Sequence, residues 1–447
     1  MRSRVTNQTR FVGWVGLMLV LLPLLAAAAP LAERQVLENG LTLLVTSRRA
    51  LPIVTVKVTV RAGSLWESED RPGLAYLTAS LLTRGTTTRT ATQIDEAVEF
   101  IGASLSSGAD RDASELDLTV LRKDLPKGLE LLADVLLHPT FPESEIVRKV
   151  KELKAALRKR QEDPGEVARE AFNEAVFGSH PYGRSLEGTE ASLSAIGREE
   201  IVRFYRDHYT PERTLVTVVG DVDPKEIAEQ LRTLRNEWPK TERGVEKLAA
   251  PKPPGEQVVV KKIGRSVTQA NIILGHQGIK RDNPDFYALT VMNYILGGGG
   301  FSSRLVERIR EQKGWAYDVS SYFSPGLERG SFQVVLQTKN ETAGPAVEEV
   351  LRELRRILDQ GVTEQELTDA KAYLTGSFPL RLDTNSKLAD LVSAVEYYEL
   401  GLNYADRYPS LIAAVTRDDI LRVARAYLRP DRYVLVVVAD LAKAALP

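Results

Sequence analysis

Cysteine is absent from the 447-residue chain. That one absence excludes disulfides, thiol nucleophiles and Cys-ligated zinc or iron–sulfur centres together. Histidine is scarce. His138, His180, His208 and His276 are the only four, and no two stand three or four residues apart, so no pair on one helical face can grip a metal. Each suits a packing role; His138, for instance, ends a helix before Pro139, where an imidazole can meet the terminal carbonyls. No G-x-S-x-G elbow supports a serine nucleophile. An excess of either charge is also missing, the net charge being −1. With no RRM signature, no zinc-finger spacing and no basic domain, nothing in the chain favours nucleic acid. A composition 43% hydrophobic and 27% charged is that of a globular protein, and the length suits two or three domains of roughly 150 residues each.

What is present begins with a leader-like segment. Arg2, Arg4 and Arg10 precede an apolar run from Phe11 to Leu25, and Ala26 to Pro30 supply small residues for signal-peptidase cleavage. Residues 1–29 therefore read as a signal peptide for export, most simply to a bacterial periplasm. The alternative is an uncleaved anchor holding the chain at the inner membrane, because the run is long for a signal's apolar region. Removal of the segment takes away three arginines and no acid, changing the net charge from −1 to −4.

Beyond it, "VLENGLTLLVTS" predicts two strands around an Asn39-Gly40 turn. In "IVTVKVTV", Val54, Val56, Val58 and Val60 alternate with Thr55, Lys57 and Thr59, which predicts a half-buried strand. Thr90 stands three residues before Gln93 at the head of an amphipathic run, a capping-box spacing. "SELDLTVLRKD" returns to strand alternation, and "LPKGLELLADVLLHP" predicts a helix stopped by Pro139.

The chain also repeats itself. "REEIVRFYRDHYTPERTLVTVVGD" (198–221) matches "RDDILRVARAYLRPDRYVLVVVAD" (417–440) without a gap at an offset of 219 residues, and "PESEIVRKV" matches "TEQELTDAK" at an offset of 221. Two agreeing offsets mark a duplicated unit of about 200 residues, far longer than a solenoid period. The Pro- and charge-rich stretch Pro239 to Gln257 reads as the joint. The division is residues 31–240, a linker at 241–256, and residues 257–447. Strands and helices come in runs, which predicts an α+β fold of two homologous domains, each a mostly antiparallel sheet with helices packed on one face.

Three stretches could carry chemistry. Gly297, Gly298, Gly299 and Gly300 are followed by "FSSRL" and preceded by a helical pattern, so they make no phosphate loop. They allow either the close approach of another backbone, as an extended peptide requires, or a flexible helix terminus. "RKVKELKAALRKR" (148–160) is strongly basic; a solvated helix face accounts for it, with a positive cavity or interface wall as the alternative. "GLAYLTASLLTRGT" (73–86) reads as a helix with no His, Cys, Asp or Glu anywhere in it.

"GGGGFSSRLVERIREQKGWAYDVSSYF" (297–323) resembles the second-domain signature of the insulinase/pitrilysin family of zinc peptidases. "VRAGSLWESEDRPGLAYLTASLLTRGT" (60–86) is similar to the opening of the family's first domain, and residues 180–223 to its later part. The resemblance covers essentially the whole chain after the leader. It implies two homologous α+β domains that pair with another such chain to enclose a peptide chamber. In active members, H-x-x-E-H on a helix supplies two zinc ligands and a general base. Here the ligand positions hold Tyr76 and Ser80 and the base position holds Ala79. Counting back from Asp163-Pro164 places the third ligand at Ala156, with Glu152 one helical turn away. The resemblance thus implies no metal on this chain. It also implies that Arg310 and Tyr317, seven apart in "REQKGWAY", are the family's pair of donors to the substrate carbonyl and its oxyanion, with Arg304 as a competing arginine and the four glycines beside the substrate. The expectation is a non-zinc subunit of an exported heteromeric peptidase, whose homologous partner carries zinc and whose substrate is a peptide. The alternatives are a catalytically silent scaffold and a peptide-binding homodimer.

Overall fold

A computed structural model describes residues 30–241, 248–253, 255–444 and 446. The leader reading, on residues 1–29, and the middle of the proposed linker lie outside the described residues. The first half contains β1 (Glu33–Val36), β2 (Thr42–Ser47), β3 (Ile53–Val60), β4 (Ser104–Ala109), β5 (Ser114–Leu121) and β6 (Thr214–Gly220). Its helices are α1 (Leu74–Leu81), α2 (Ala91–Phe100), α3 (Leu125–Leu137), α4 (Glu143–Arg160), α5 (Pro164–Phe177), α6 (Glu190–Ala195), α7 (Arg198–His208), α8 (Pro224–Gln230) and α9 (Arg232–Glu237). The second half contains β7 (Val259–Gly264), β8 (Gln269–Gln277), β9 (Ala316–Ser324), β10 (Ser331–Lys339) and β11 (Val434–Ala439). Its helices are α10 (Phe286–Asn293), α11 (Ala343–Gln360), α12 (Glu364–Gly376), α13 (Asn385–Tyr397), α14 (Tyr404–Ala413) and α15 (Arg417–Tyr427).

Apart from the extra edge strand β1, the two sheets repeat one order: β1-β2-β6-β3-β5-β4 and β7-β11-β8-β10-β9. All pairings are antiparallel except β2 with β6 and β7 with β11. This is the α+β architecture the runs of elements predict, and the repeated segments form α7 with β6 and α15 with β11. Local signals act where the sequence places them. Gly40 turns the first hairpin at φ 93°, and the Thr90–Gln93 capping box opens α2 with both reciprocal hydrogen bonds. Among the described residues, no helix is long and apolar enough to cross a membrane.

Each half's own helices bury one face of its sheet. The opposite face is covered by a helix from the other half. α5 places Phe172 and Val176 in one cluster with Ile273, Val436 and Val438 of the second sheet. The alternate residues Ile272, Leu435 and Val437 face that half's own core. Gly275 on β8 makes room: a Cβ there would stand 3.0 Å from Cζ of Phe172. In return, α13 sets Leu388, Ala389 and Val392 against Leu44 and Val219 of the first sheet, with Thr217 and Ser393 hydroxyls 2.8 Å apart.

This exchange corrects the half-buried reading of β3. Thr55, Lys57 and Thr59 are as buried as the valines between them, because α13 lies over them. Lys57 Nζ is accommodated by three carboxylates, Glu115 at 2.7 Å, Asp117 at 3.2 Å and Asp390 of α13 at 3.2 Å.

Asp112, in the β4–β5 turn, ties the halves at a second place. Its carboxylate accepts from Tyr182 Oη (2.5 Å), Tyr398 Oη (2.9 Å) and the Leu327 N–H (2.9 Å), and its carbonyl accepts from Tyr397 Oη (2.8 Å). Asp112→Asn puts an NH2 group against donors and is expected to cost about 1–3 kcal/mol. The check is a lower urea midpoint at unchanged slope.

Candidate functional site

Helix α1 is capped by the Glu67 carboxyl group rather than by a side chain at its N-cap. Gly73 precedes it at φ 93°. Glu67 Oε2 accepts from the Gly73 N–H at 3.2 Å, and Oε1 accepts from Ala75 N–H at 2.7 Å, so two otherwise unpaired donors of the first turn are satisfied. Burial pushes the Glu67 carboxyl up to about 8, against the opposing pull of those two N–H groups and Arg184. A folded value above the unfolded 4.5 means that the folded state holds the extra proton in between. Stability therefore falls as pH rises from about 4.5 to about 8. Glu67→Gln is expected to flatten that slope, read as urea midpoints measured across the same pH range.

Tyr76 and Ser80 lie one turn apart on the half-buried side of α1. Both open onto a cavity of about 330 Å³, with Ser106 and Ser107 of the edge strand β4 and Arg148, Lys149 and Glu152 of α4 also on its wall. Ala79 faces the core with no exposure. Ala156 is exposed and is not on the cavity wall. The one carboxylate there, Glu152, is ion-paired to Lys149 at 2.8 Å. A phenol, a hydroxyl and two methyl groups do not fit zinc, which takes imidazole, thiolate or carboxylate ligands. Among the described residues, no group of three His, Cys, Asp or Glu could hold a metal ion.

The histidines are structural. His138 ends α3 with Nε2 3.6 Å from Glu237 rather than on helix carbonyls. His180 accepts the Tyr182 N–H and contacts the Ala249 carbonyl. His208 packs on Phe204, ring centroids 4.4 Å apart. His276 is pulled down to about 4 by burial, so it is neutral. The basic stretch on α4 divides: Arg158 and Arg160 pair with Glu190 and Glu187, while Arg148 and Lys149, paired with Glu145 and Glu152, also line the cavity beside Tyr76 and Ser80.

In the second half, α10 continues through a π-helical turn at Tyr294–Gly298, and a second π-helical turn spans Val306–Gln312. Gly314, at φ 63°, ends that turn and directs the chain into β9. Arg310 therefore stands on a helix and Tyr317 on the next strand, and the fold brings them together. The Arg310 guanidinium carbon is 5.3 Å from the Tyr317 ring centroid and 4.7 Å from that of Phe301. Tyr317 is 76% exposed. The nearest carboxylate to Arg310 is Glu311, at a loose 3.9 Å. The phenol faces solvent and the half-buried guanidinium lies beside it, with donors available to a substrate carbonyl.

Arg304 is differently placed. It is 8% exposed and committed to Glu366 at 2.6 and 2.8 Å and to the Gly361 carbonyl at 3.1 Å. Burial alone would raise the Glu366 carboxyl, but hydrogen bonds from Arg304 and Thr363 bring it down to about 2. Arg304 fastens α12 and is sequestered from solvent.

The glycines divide. A Cβ on Gly297, Gly298 or Gly299 would collide with Ser321, Asn293 or Tyr294 of this same chain, whereas Gly300 adjoins open space at φ 58°. Three of them serve internal packing, and one leaves room for a ligand. Phe301, 70% exposed, belongs to the Arg310 cluster and was not identifiable from the sequence. An aromatic after a glycine run was its only signal.

Residues 43–190 match a family model described as insulinase (peptidase family M16), and residues 195–374 match one described as the peptidase M16 inactive domain. An uncharacterized zinc protease of Mycobacterium leprae is 30% identical over 364 residues, covering 80% of this chain and 81% of its own. One of Streptomyces coelicolor is 28% identical over 415 residues, covering 91% and 90%. The crystal structure of a peptidase M16 inactive domain from Pseudomonas fluorescens superposes with a TM-score of 0.86 at 27% identity, covering 91% of this chain and 98% of that one. A protease from Helicobacter pylori shares the fold at a TM-score of 0.86 and 21% identity.

Proposed function

Since the chain belongs to the insulinase family, peptidase family M16, we propose that it is the non-zinc subunit of a heteromeric peptidase. Its partner in this reading is a homologous chain bearing H-x-x-E-H, which contributes the zinc, while this chain completes the peptide chamber. Arg310 and Tyr317 donate hydrogen bonds to the scissile carbonyl oxygen. Those bonds strengthen as negative charge develops there, so they stabilise the transition state more than the bound peptide. The leader-like residues 1–29 make export, with the complex in a bacterial periplasm, part of the same reading.

One observation carries the proposal. The positions of both zinc ligands of the helical motif and its base hold Tyr76, Ser80 and Ala79, while Arg310 stays beside the exposed ring of Tyr317. A silent scaffold has no need of oxyanion donors, and this pair is the reason to prefer a catalytic complex. The test is reconstitution of the full chain with an H-x-x-E-H homologue encoded beside it. Peptide cleavage by the mixture and by neither chain alone is expected. Equal cleavage by the homologue with and without this chain would overturn the reading.

A further inference from the structure

Four aromatic side chains stand more than half exposed among the described residues: Phe100, Phe301, Tyr317 and Tyr373. Three of them lie around the glycine run of the second half. Phe301 and Tyr317 flank Arg310 at 4.7 and 5.3 Å. Tyr373, 57% exposed on α12, stacks on Tyr294 with ring centroids 4.9 Å apart and an interplanar angle of 29°. The glycine run joins the two groups: a Cβ on Gly299 would lie 3.0 Å from the Tyr294 ring, and Gly300 adjoins open space before Phe301. Aromatic rings beside an arginine are the composition of a binding hot spot, not of an ordinary solvated surface.

The duplication says what kind of surface this is. The 221-residue offset that carries α4 onto α12 puts Tyr373 at the position of Glu152, which lines the cavity beside Tyr76 and Ser80 in the first half. Where the first half holds a polar cavity, the second presents a stacked aromatic pair. We infer that Tyr294, Tyr373 and Phe301 form a shelf that receives an aromatic or branched apolar side chain of an extended peptide running over Gly300 toward Arg310. The inference rests on the peptide-binding reading of this face and adds a side-chain preference to it. The rings supply apolar area without a charged group. Gly300, with open space where a Cβ would stand, lets the peptide backbone approach closely.

The test uses the full chain alone, so that its outcome is separate from that of any cleavage assay. Two fluorescently labelled synthetic peptides, identical except for a central Phe or Ala, are titrated against it. The Phe peptide is expected to bind roughly tenfold more tightly or better, the scale of a buried aromatic anchor. Tyr373→Ser and Phe301→Ser are each expected to remove most of that difference without shifting the unfolding midpoint, because both side chains are exposed. Equal binding of the two peptides, no binding of either, or an unchanged preference in both variants would overturn the inference. So would variants that keep the Phe preference and lose a zinc-bearing partner in gel filtration, since the shelf would then be a subunit interface. Failure of partner-dependent cleavage with the Phe preference intact would count against the heteromeric peptidase and not against the shelf.

Discussion

Residues 31–240 and 257–447, expressed as separate polypeptides, are expected to give no cooperative unfolding transition, although each carries a complete sheet. The reason is the reciprocal exchange of α5 and α13. Alone, the second half exposes Ile273, Val436 and Val438, which Phe172 and Val176 cover in the intact chain. The first half alone keeps α5 with nothing beneath it, and exposes Leu44 and Val219 where Leu388 and Val392 belong. Lys57 also loses Asp390, one of its three carboxylates. A buried charge with fewer partners adds desolvation cost to the lost apolar burial. Co-expression should restore a soluble complex, since the missing helices are then present in trans. A milder form of the same test is Phe172→Ala, expected to cost about 3–5 kcal/mol. Two stable, separately melting halves would show that the exchanged helices contribute little.

Arg310→Ala in the reconstituted complex is expected to lower kcat by about 10²–10³, the usual effect of removing one oxyanion donor, with a smaller change in KM. Tyr317→Phe removes only the phenol proton and should act in the same direction. The double variant should fall short of the product of the two, because both donors serve one oxygen. Neither substitution removes buried structure: Tyr317 is 76% exposed, and Arg310 makes only a loose ion pair to Glu311. Unchanged unfolding midpoints will separate a catalytic loss from a folding defect. Arg304→Ala is the contrasting case. It leaves Glu366, whose carboxyl is held down to about 2 by Arg304 and Thr363 against its burial, with Thr363 but no cation, so its first effect should be on stability.

Much of this was legible in the residues. The capping box at Thr90 and the hairpin at Asn39-Gly40 follow from local spacing, the duplication from comparing the chain with itself, and the Arg310–Tyr317 pair only from the family resemblance. What escaped is non-local. Alternation in β3 says that two faces differ, but not whether the polar face meets water or another element. Thr55, Lys57 and Thr59 look solvent-facing until α13, more than 300 residues later, is laid across them. Phe301 escaped for a similar reason. Its role depends on the π-helical turn that brings Arg310 back to it, and the eight intervening residues do not encode that proximity by any simple period. The glycine run was half legible: close approach was the right physical reason, but for three of the four the approaching atoms belong to this chain.

The most direct measurement of the central claim is zinc content and peptide cleavage for the purified full chain, before and after addition of the H-x-x-E-H homologue. The expected result is no stoichiometric zinc and no cleavage by the chain alone, with cleavage appearing in the mixture and depending on Arg310. One zinc per chain together with chelator-sensitive cleavage by the isolated chain would contradict it.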